Sequence, residues 1–177
     1  MLTPQVGVVL NAQITENFAI RPELLYLQRG AKSDLGGGAT LTTKSSYVEL
    51  PINLVGGFQA GPGKLEVFLG PSFGLALGGH YKVEGGGYSN TGSIKPKKQP
   101  ESSTGTDIYM NPLNISLNFG LDYKFDNGLL IQAGYNLGFS NTMPHFANSN
   151  QESDRSKDVT KASSINFGVA YLFGGKK

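Results

Sequence analysis

The chain has 177 residues; 25 of them are Gly and only 16% are charged. Gly is thus at about twice its usual ~7% share and charge well below the usual ~25%, which argues against an ordinary soluble α/β enzyme. A net charge of +2 points away from nucleic acid as a partner, and the lack of Cys removes disulfides, thiolate metal sites and a Cys nucleophile. The length fits one domain, taken as residues 1–177.

The longest charge-free apolar stretch, Val67 to Gly79, is thirteen residues broken by Pro71 and several Gly. A spanning helix needs about 20, so none is expected. The opening Met1-Leu-Thr-Pro4 carries neither the basic nor the apolar segment of a signal peptide. Spanning β-strands carry a far weaker signal, which has to be sought as alternation.

A period of two recurs along the chain. Val6, Val8, Leu10 and Ala12 open it, and Phe18, Ile20, Pro22, Leu24 and Tyr26 follow, opposite Ala19, Arg21, Glu23, Leu25 and Leu27. Val48 to Leu54 on even numbers comes next, opposite Tyr47, Glu49, Pro51 and Asn53. The longest run, Leu65 to Leu77 on odd numbers, faces away from Glu66, Phe68, Gly70, Ser72, Gly74 and Ala76. Leu113 to Phe125, Leu129 to Phe139 and Ile165 to Phe173 complete seven predicted strands. One face of these strands holds no charge. The other carries Arg21, Glu23, Glu49, Glu66, Asp122, Lys124 and many glycines.

Alternation alone also fits a soluble lipocalin-like barrel with an apolar interior. Three features point the apolar face outward, to lipid. Gly suits the crowded lumen of a narrow barrel better than a solvated strand surface. Aromatics (Tyr26, Tyr123, Phe125, Phe139, Tyr171, Phe173) gather toward strand ends, as interfacial girdles do. The connections also alternate in length: short at Thr15–Asn17, Gln59–Lys64 and Asp126-Asn127-Gly128, long and polar at 30–46, 79–106 and 141–161. Short turns at one rim and long loops at the other is the plan of an outer-membrane barrel.

Seven strands leave the first and last parallel, whereas single-chain barrels of this kind close with even counts. The expectation is an up-and-down transmembrane barrel with seven of eight strands visible, the absent one lying upstream as an N-terminal truncation.

The segments Arg21-Pro-Glu-Leu-Leu-Tyr-Leu-Gln-Arg-Gly-Ala31, Tyr47-Val-Glu-Leu-Pro-Ile52 and Gly70-Pro-Ser-Phe-Gly74 occur in order, followed by Gly120-Leu-Asp-Tyr-Lys-Phe-Asp-Asn-Gly-Leu-Leu130 and Tyr135-Asn-Leu-Gly-Phe-Ser-Asn141. Together they resemble the PorT-type outer-membrane β-barrel domain of Bacteroidota. The resemblance implies an eight-stranded integral outer-membrane protein, made with a signal peptide and, in most members, without an assigned activity. Asn166, Gly168, Tyr171 and Phe173 are similar to the last-strand signal read by the barrel assembly machinery. The physical logic of such a signal is strand addition to an open edge.

Candidate chemistry is sparse. Gly70-Pro-Ser72-Phe-Gly74 matches G-x-S-x-G, but alternation runs straight through Ser72 where a nucleophile elbow needs a sharp turn into a helix. His80 and His145 lack a second His at i+3 or i+4, so no metal site is expected. Even-numbered His80 is predicted to face the lumen. No catalytic or cofactor-binding residue is assigned. Arg21, Glu23, Glu49 and Glu66 are expected as a polar lumen cluster, an ion-pair network that fills the barrel. If the lumen were open instead, three acids to one Arg would favour cations. Lys95, Lys97 and Lys98 form a basic loop tip that could meet a surface polyanion.

The reading is an integral barrel of the bacterial outer membrane with a structural or surface-interaction role and no enzymatic one. Its expected partners are outer-membrane lipid, the assembly machinery, and a surface ligand or secretion components. A small cation-leaning pore or a secretion-accessory barrel is the alternative; an acyl hydrolase and a soluble binder are remote.

Overall fold

The computed structural model describes residues 5–97, 107–142 and 161–172. Every regular element among them is a strand: β1 (Gln5–Val9), β2 (Ala12–Thr15), β3 (Phe18–Gly36), β4 (Ala39–Gln59), β5 (Gly63–Gly85), β6 (Tyr88–Lys95), β7 (Ile108–Tyr109), β8 (Leu113–Phe125), β9 (Leu129–Gly138) and β10 (Ser164–Tyr171). They form one sheet in the order β1-β3-β4-β5-β8-β9-β10, all antiparallel along that path. β2 continues β1 along β3. The break between them falls at Leu10, whose register partner would be Pro22. Proline has no N–H to donate, so only the bond from Leu10 N to the Pro22 carbonyl forms, at 3.0 Å. These are the seven predicted spanning strands, in antiparallel order.

Which face is concave is decided by contacts across the sheet. β3 and β9 are four strand spacings apart, about 19 Å if the sheet were flat. Yet Arg29 Nη2 of β3 lies 3.2 Å from Asn136 Oδ1 of β9, and Arg21 of β3 reaches Asp122 of β8. The sheet is therefore curled with its charged face inside. Arg21, Glu23, Glu49, Asn53, Glu66, Asn118 and Asp122 are buried, while Leu24, Leu50, Leu54, Leu69, Phe73 and Leu121 are exposed. A soluble lipocalin-like arrangement would have the reverse, so that alternative is set aside.

Inside, glycine makes room. The Phe68 ring lies across Gly120 and Gly134 on the next two strands, and a Cβ at either position would stand 2.6 Å and 2.8 Å from it. With Ala19 and Val55, Phe68 forms a small apolar layer near the short-turn rim. The Asp126-Asn127-Gly128 turn closes with Gly128 at φ 91°, the left-handed conformation that Gly adopts without strain.

The long connections differ from the expectation. Residues 30–46 are not a loop: β3 and β4 stay paired up to Gly36 and Ala39, leaving only Gly37 and Gly38 to turn. Residues 79–95 likewise form a hairpin of β5 and β6 around Gly86 and Gly87. Polar residues on both faces of these segments hide strand in the sequence. The result is a four-stranded arm, β3-β4-β5-β6, standing above the wall. β4 alone has 21 residues, about 70 Å at 3.3 Å per residue, and even tilted by ~40° it outruns a ~30 Å hydrocarbon core. Of the third connection, 141–161, the bridge between Asn141 and Lys161 is described and residues 143–160 lie outside the described residues.

At the foot of the arm the ladder slips. Tyr47 pairs with Ala76 but Ser46 pairs with Gly78, so Leu77 and Gly78 together oppose one step of β4. Gly78 has φ 121°, a conformation few side chains accept. The bulge inverts the alternation of β5 above it: Tyr81 is buried on the inner face and His80 is exposed on the outer one. The parity argument that placed His80 in the lumen fails for this reason.

Candidate functional site: the barrel interior

Two layers fill the concave side. In the lower one, Arg21 forks between two carboxylates, Nη2 to Glu66 and Nη1 to Asp122, while its Nε donates to Asn11 Oδ1 at 3.0 Å. Lys124 Nζ approaches the second Glu66 oxygen at 3.3 Å. Planar guanidinium with two carboxylates satisfies donors in a fixed geometry, as a charge buried at 1% exposure requires. Next to it runs a neutral chain: Asn53 Nδ2 donates to Glu23 Oε1 at 3.0 Å, and Asn118 Nδ2 donates to Asn53 Oδ1 at 3.2 Å.

Of the four residues expected to cluster, the structure joins Arg21 and Glu66. Glu23 belongs to the asparagine chain. Glu49 stands apart with Arg29, whose Nη2 lies 2.7 Å from its Oε1 and whose guanidinium sits 5.2 Å from the Tyr47 ring centroid. Asp122 and Lys124, expected on the polar face, join the network as partners of Arg21 and Glu66. Arg29 was missed, although its odd number continues the inward series Arg21, Glu23, Leu25, Leu27. The ratio of three acids to one Arg is thus corrected: Arg21, Arg29 and Lys124 face Glu23, Glu49, Glu66 and Asp122. The excess of acid over base shrinks to one group.

The upper layer is apolar. Leu27, Tyr47, Ala76, Tyr81, Ile94 and Met110 are buried together, with Leu25, Leu41 and Val83 against them. Ile94 comes from β6 and Met110 from the segment after β7, held by its N–H on the Lys95 carbonyl at 3.0 Å. The arm's own β5–β6 hairpin thus supplies part of this layer.

Ser72 lies on the inner face of unbroken strand, between Gly70 and Gly74, with no turn into a helix. His80 is on the other side of the sheet, so the two form no pair; His145 lies outside the described residues. On the last strand Asn166 lines the interior with Gln132 and Asn136, Gly168 is opposite Gln132, and Tyr171 points outward; Phe173 lies outside the described residues. The basic tip is partly tied down. Lys95 pairs with Asp107, whose hydrogen bond and charge raise the Lys95 pKa above the ordinary lysine value. Lys97 sits 6.0 Å from the Tyr109 ring centroid, and Lys98 lies outside the described residues.

Residues 2–143 match a family model described as outer membrane protein beta-barrel domain, well over half of the chain. The chain belongs to that family. It is an integral barrel of the bacterial outer membrane, and the apolar convex face is the surface that meets lipid. No curated protein and no solved structure matches it. Membership accords with the outward apolar band: on β4 it runs from Val48 to Phe58 on even numbers. That is about 33 Å of strand and ~25 Å along the membrane normal at a ~40° tilt, the height of such bands.

Proposed function

We propose that the protein is a plugged barrel of the PorT type, from a member of the Bacteroidota, with a structural or surface-interaction role rather than a pore or an enzyme. The observation that carries this reading is the filled interior. Among the described residues, a lower layer of paired charges around Arg21 and an upper layer of packed apolar side chains around Tyr47 occupy the concave side. The surface offered to partners is the arm, and secretion components or a surface ligand are the partners it fits. The last strand carries the assembly signal, and lipid surrounds the wall.

Closure belongs to the same reading. β1 and β10 run parallel, and no described residue pairs them. Val6, Val8, Ile165, Phe167 and Val169 on these edges are more exposed than the band inside the sheet: Val8 is 68% and Phe167 73% exposed, against 49% for Leu54 and 53% for Leu121. The two edges nevertheless face each other, since Gln5 Nε2 lies 3.9 Å from the Cβ position of Gly168. One further strand, antiparallel to both, completes eight and satisfies the backbone that lipid cannot. Conductance in a planar bilayer tests the plug: the expected result is no stable open level, and steady cation-selective current overturns it. A Val6→Cys/Val169→Cys pair tests closure. An intervening strand holds the two about 9.6 Å apart, beyond disulfide reach, so efficient oxidation would mean direct pairing.

A further inference from the structure

The bulge at Leu77 and Gly78 does more than invert His80. It brings a basic group together on the outer face of the arm, in register just above the lipid-facing band. Lys44 pairs directly with His80, Lys32 and Lys82 both pair with Thr42 in the next row, and Gly30 is the β3 partner of Lys44. Lys44 is therefore the centre: His80 is its cross-strand partner, and Lys32 and Lys82 are its two diagonal neighbours. Direct partners have Cβ atoms about 5 Å apart and diagonal ones about 7–8 Å, within reach of lysine stems around one anion. Without the extra residue in β5, position 80 would turn inward and Tyr81 would take its place.

The order of chemistry along this face matches a leaflet. Val48, Leu75 and Leu77 end the apolar band, and Tyr26 donates to Ser46 Oγ at 3.1 Å in the next layer. The basic group follows, and beyond it stand Asp34 and Glu84, in one row across Thr40. Lys82 also pairs with Glu84 at 2.6 Å, an exposed contact that an incoming anion can displace. Lys44 is four residues past Val48, about 13 Å of strand and ~10 Å of height. That lies a few ångströms above a headgroup layer about 5–8 Å deep on each side of a ~30 Å core, a gap that lysine stems span.

From this placement we infer that Lys32, Lys44, His80 and Lys82 form a docking site for the phosphate groups of outer-leaflet lipid. It fixes the height and rotation of the arm against the membrane. The site rests on the convex face meeting lipid, and each lysine held near an anionic surface adds to the attraction.

The test uses the whole protein in phosphatidylcholine vesicles doped with diphosphoryl lipid A, with retained lipid A per protein counted by native mass spectrometry. Parallel arms use the same lipid A stripped of phosphate, and free inorganic phosphate as competitor. The expected result is selective retention of the phosphorylated lipid, reduced about tenfold or more by Lys44→Gln/Lys82→Gln, kept by Lys44→Arg/Lys82→Arg, and unaffected by Lys95→Gln. Equal retention of the stripped lipid, unchanged retention in the Gln variant, or displacement by free phosphate overturns the site. A protein that does not float with the vesicles overturns the lipid-facing surface itself, and is told apart because flotation is scored first.

Discussion

The two interior layers are built on the same strands and solve the same problem by different means. Below, Arg21, Glu66 and Asp122 hold the wall together through directional, charge-assisted bonds. Above, Leu27, Tyr47, Tyr81, Ile94 and Met110 do it chiefly by apolar packing. The lower layer faces a lipid-embedded wall, where no residue can leave its strand and fixed geometry is available. The upper layer joins the β5–β6 hairpin and the segment after β7 to the wall, and apolar packing holds such separate segments without the directional geometry that a charged network requires.

The largest expected break is in the lower layer. Arg21→Met leaves Glu66 and Asp122 without their shared cation, and should destabilise the barrel by roughly 3–5 kcal/mol. Chemical unfolding in detergent, followed by heat-dependent gel mobility, measures it. Adding Glu66→Gln and Asp122→Asn should recover most of the loss. In the upper layer Met110→Ala should cost about 2–4 kcal/mol, but locally: hydrogen exchange should rise around Ile94 and Met110 and stay unchanged around Asp122. If both layers loosen together, they are one unit and the contrast is wrong.

The bulge sharpens the comparison further. Gly78→Val puts a β-branched residue at φ 121° and should cost about 1–3 kcal/mol. Its deletion should exchange the faces of residues 80 and 81. A membrane-impermeant maleimide should label His80→Cys and spare Tyr81→Cys in the parent background, with the preference reversed after deletion. The smallest effect is expected from Lys95→Ala, which removes an exposed pair with Asp107 and should change stability by less than about 1 kcal/mol.

The spanning wall was legible because lipid enforces alternation: one charge on the outer face of Leu65 to Leu77 would be expensive, and none is there. The arm was not, because outside the bilayer that rule lapses. Thr40, Thr42 and Thr43 place hydroxyls on both faces, and the Gly-rich ends look like loop. Within the site, residue type and parity brought out Arg21 and Glu66, yet nothing local told which carboxylate each cation takes. That follows from the curl, which carries Arg29 to Asn136 four strands away. His80 was misplaced because a bulge adds one residue without leaving a strong mark in composition.

That single added residue sets a phase. Insertions or deletions of two residues in β5 above Gly78 would preserve which of its side chains face outward, while a change of one would exchange the faces of β5 beyond that point and leave β3 and β4 as they are. Length variation among arms of this kind should therefore come in even steps, or in odd steps matched by a second bulge. Side-chain facing in any related chain has to be counted from its bulge rather than from its turn.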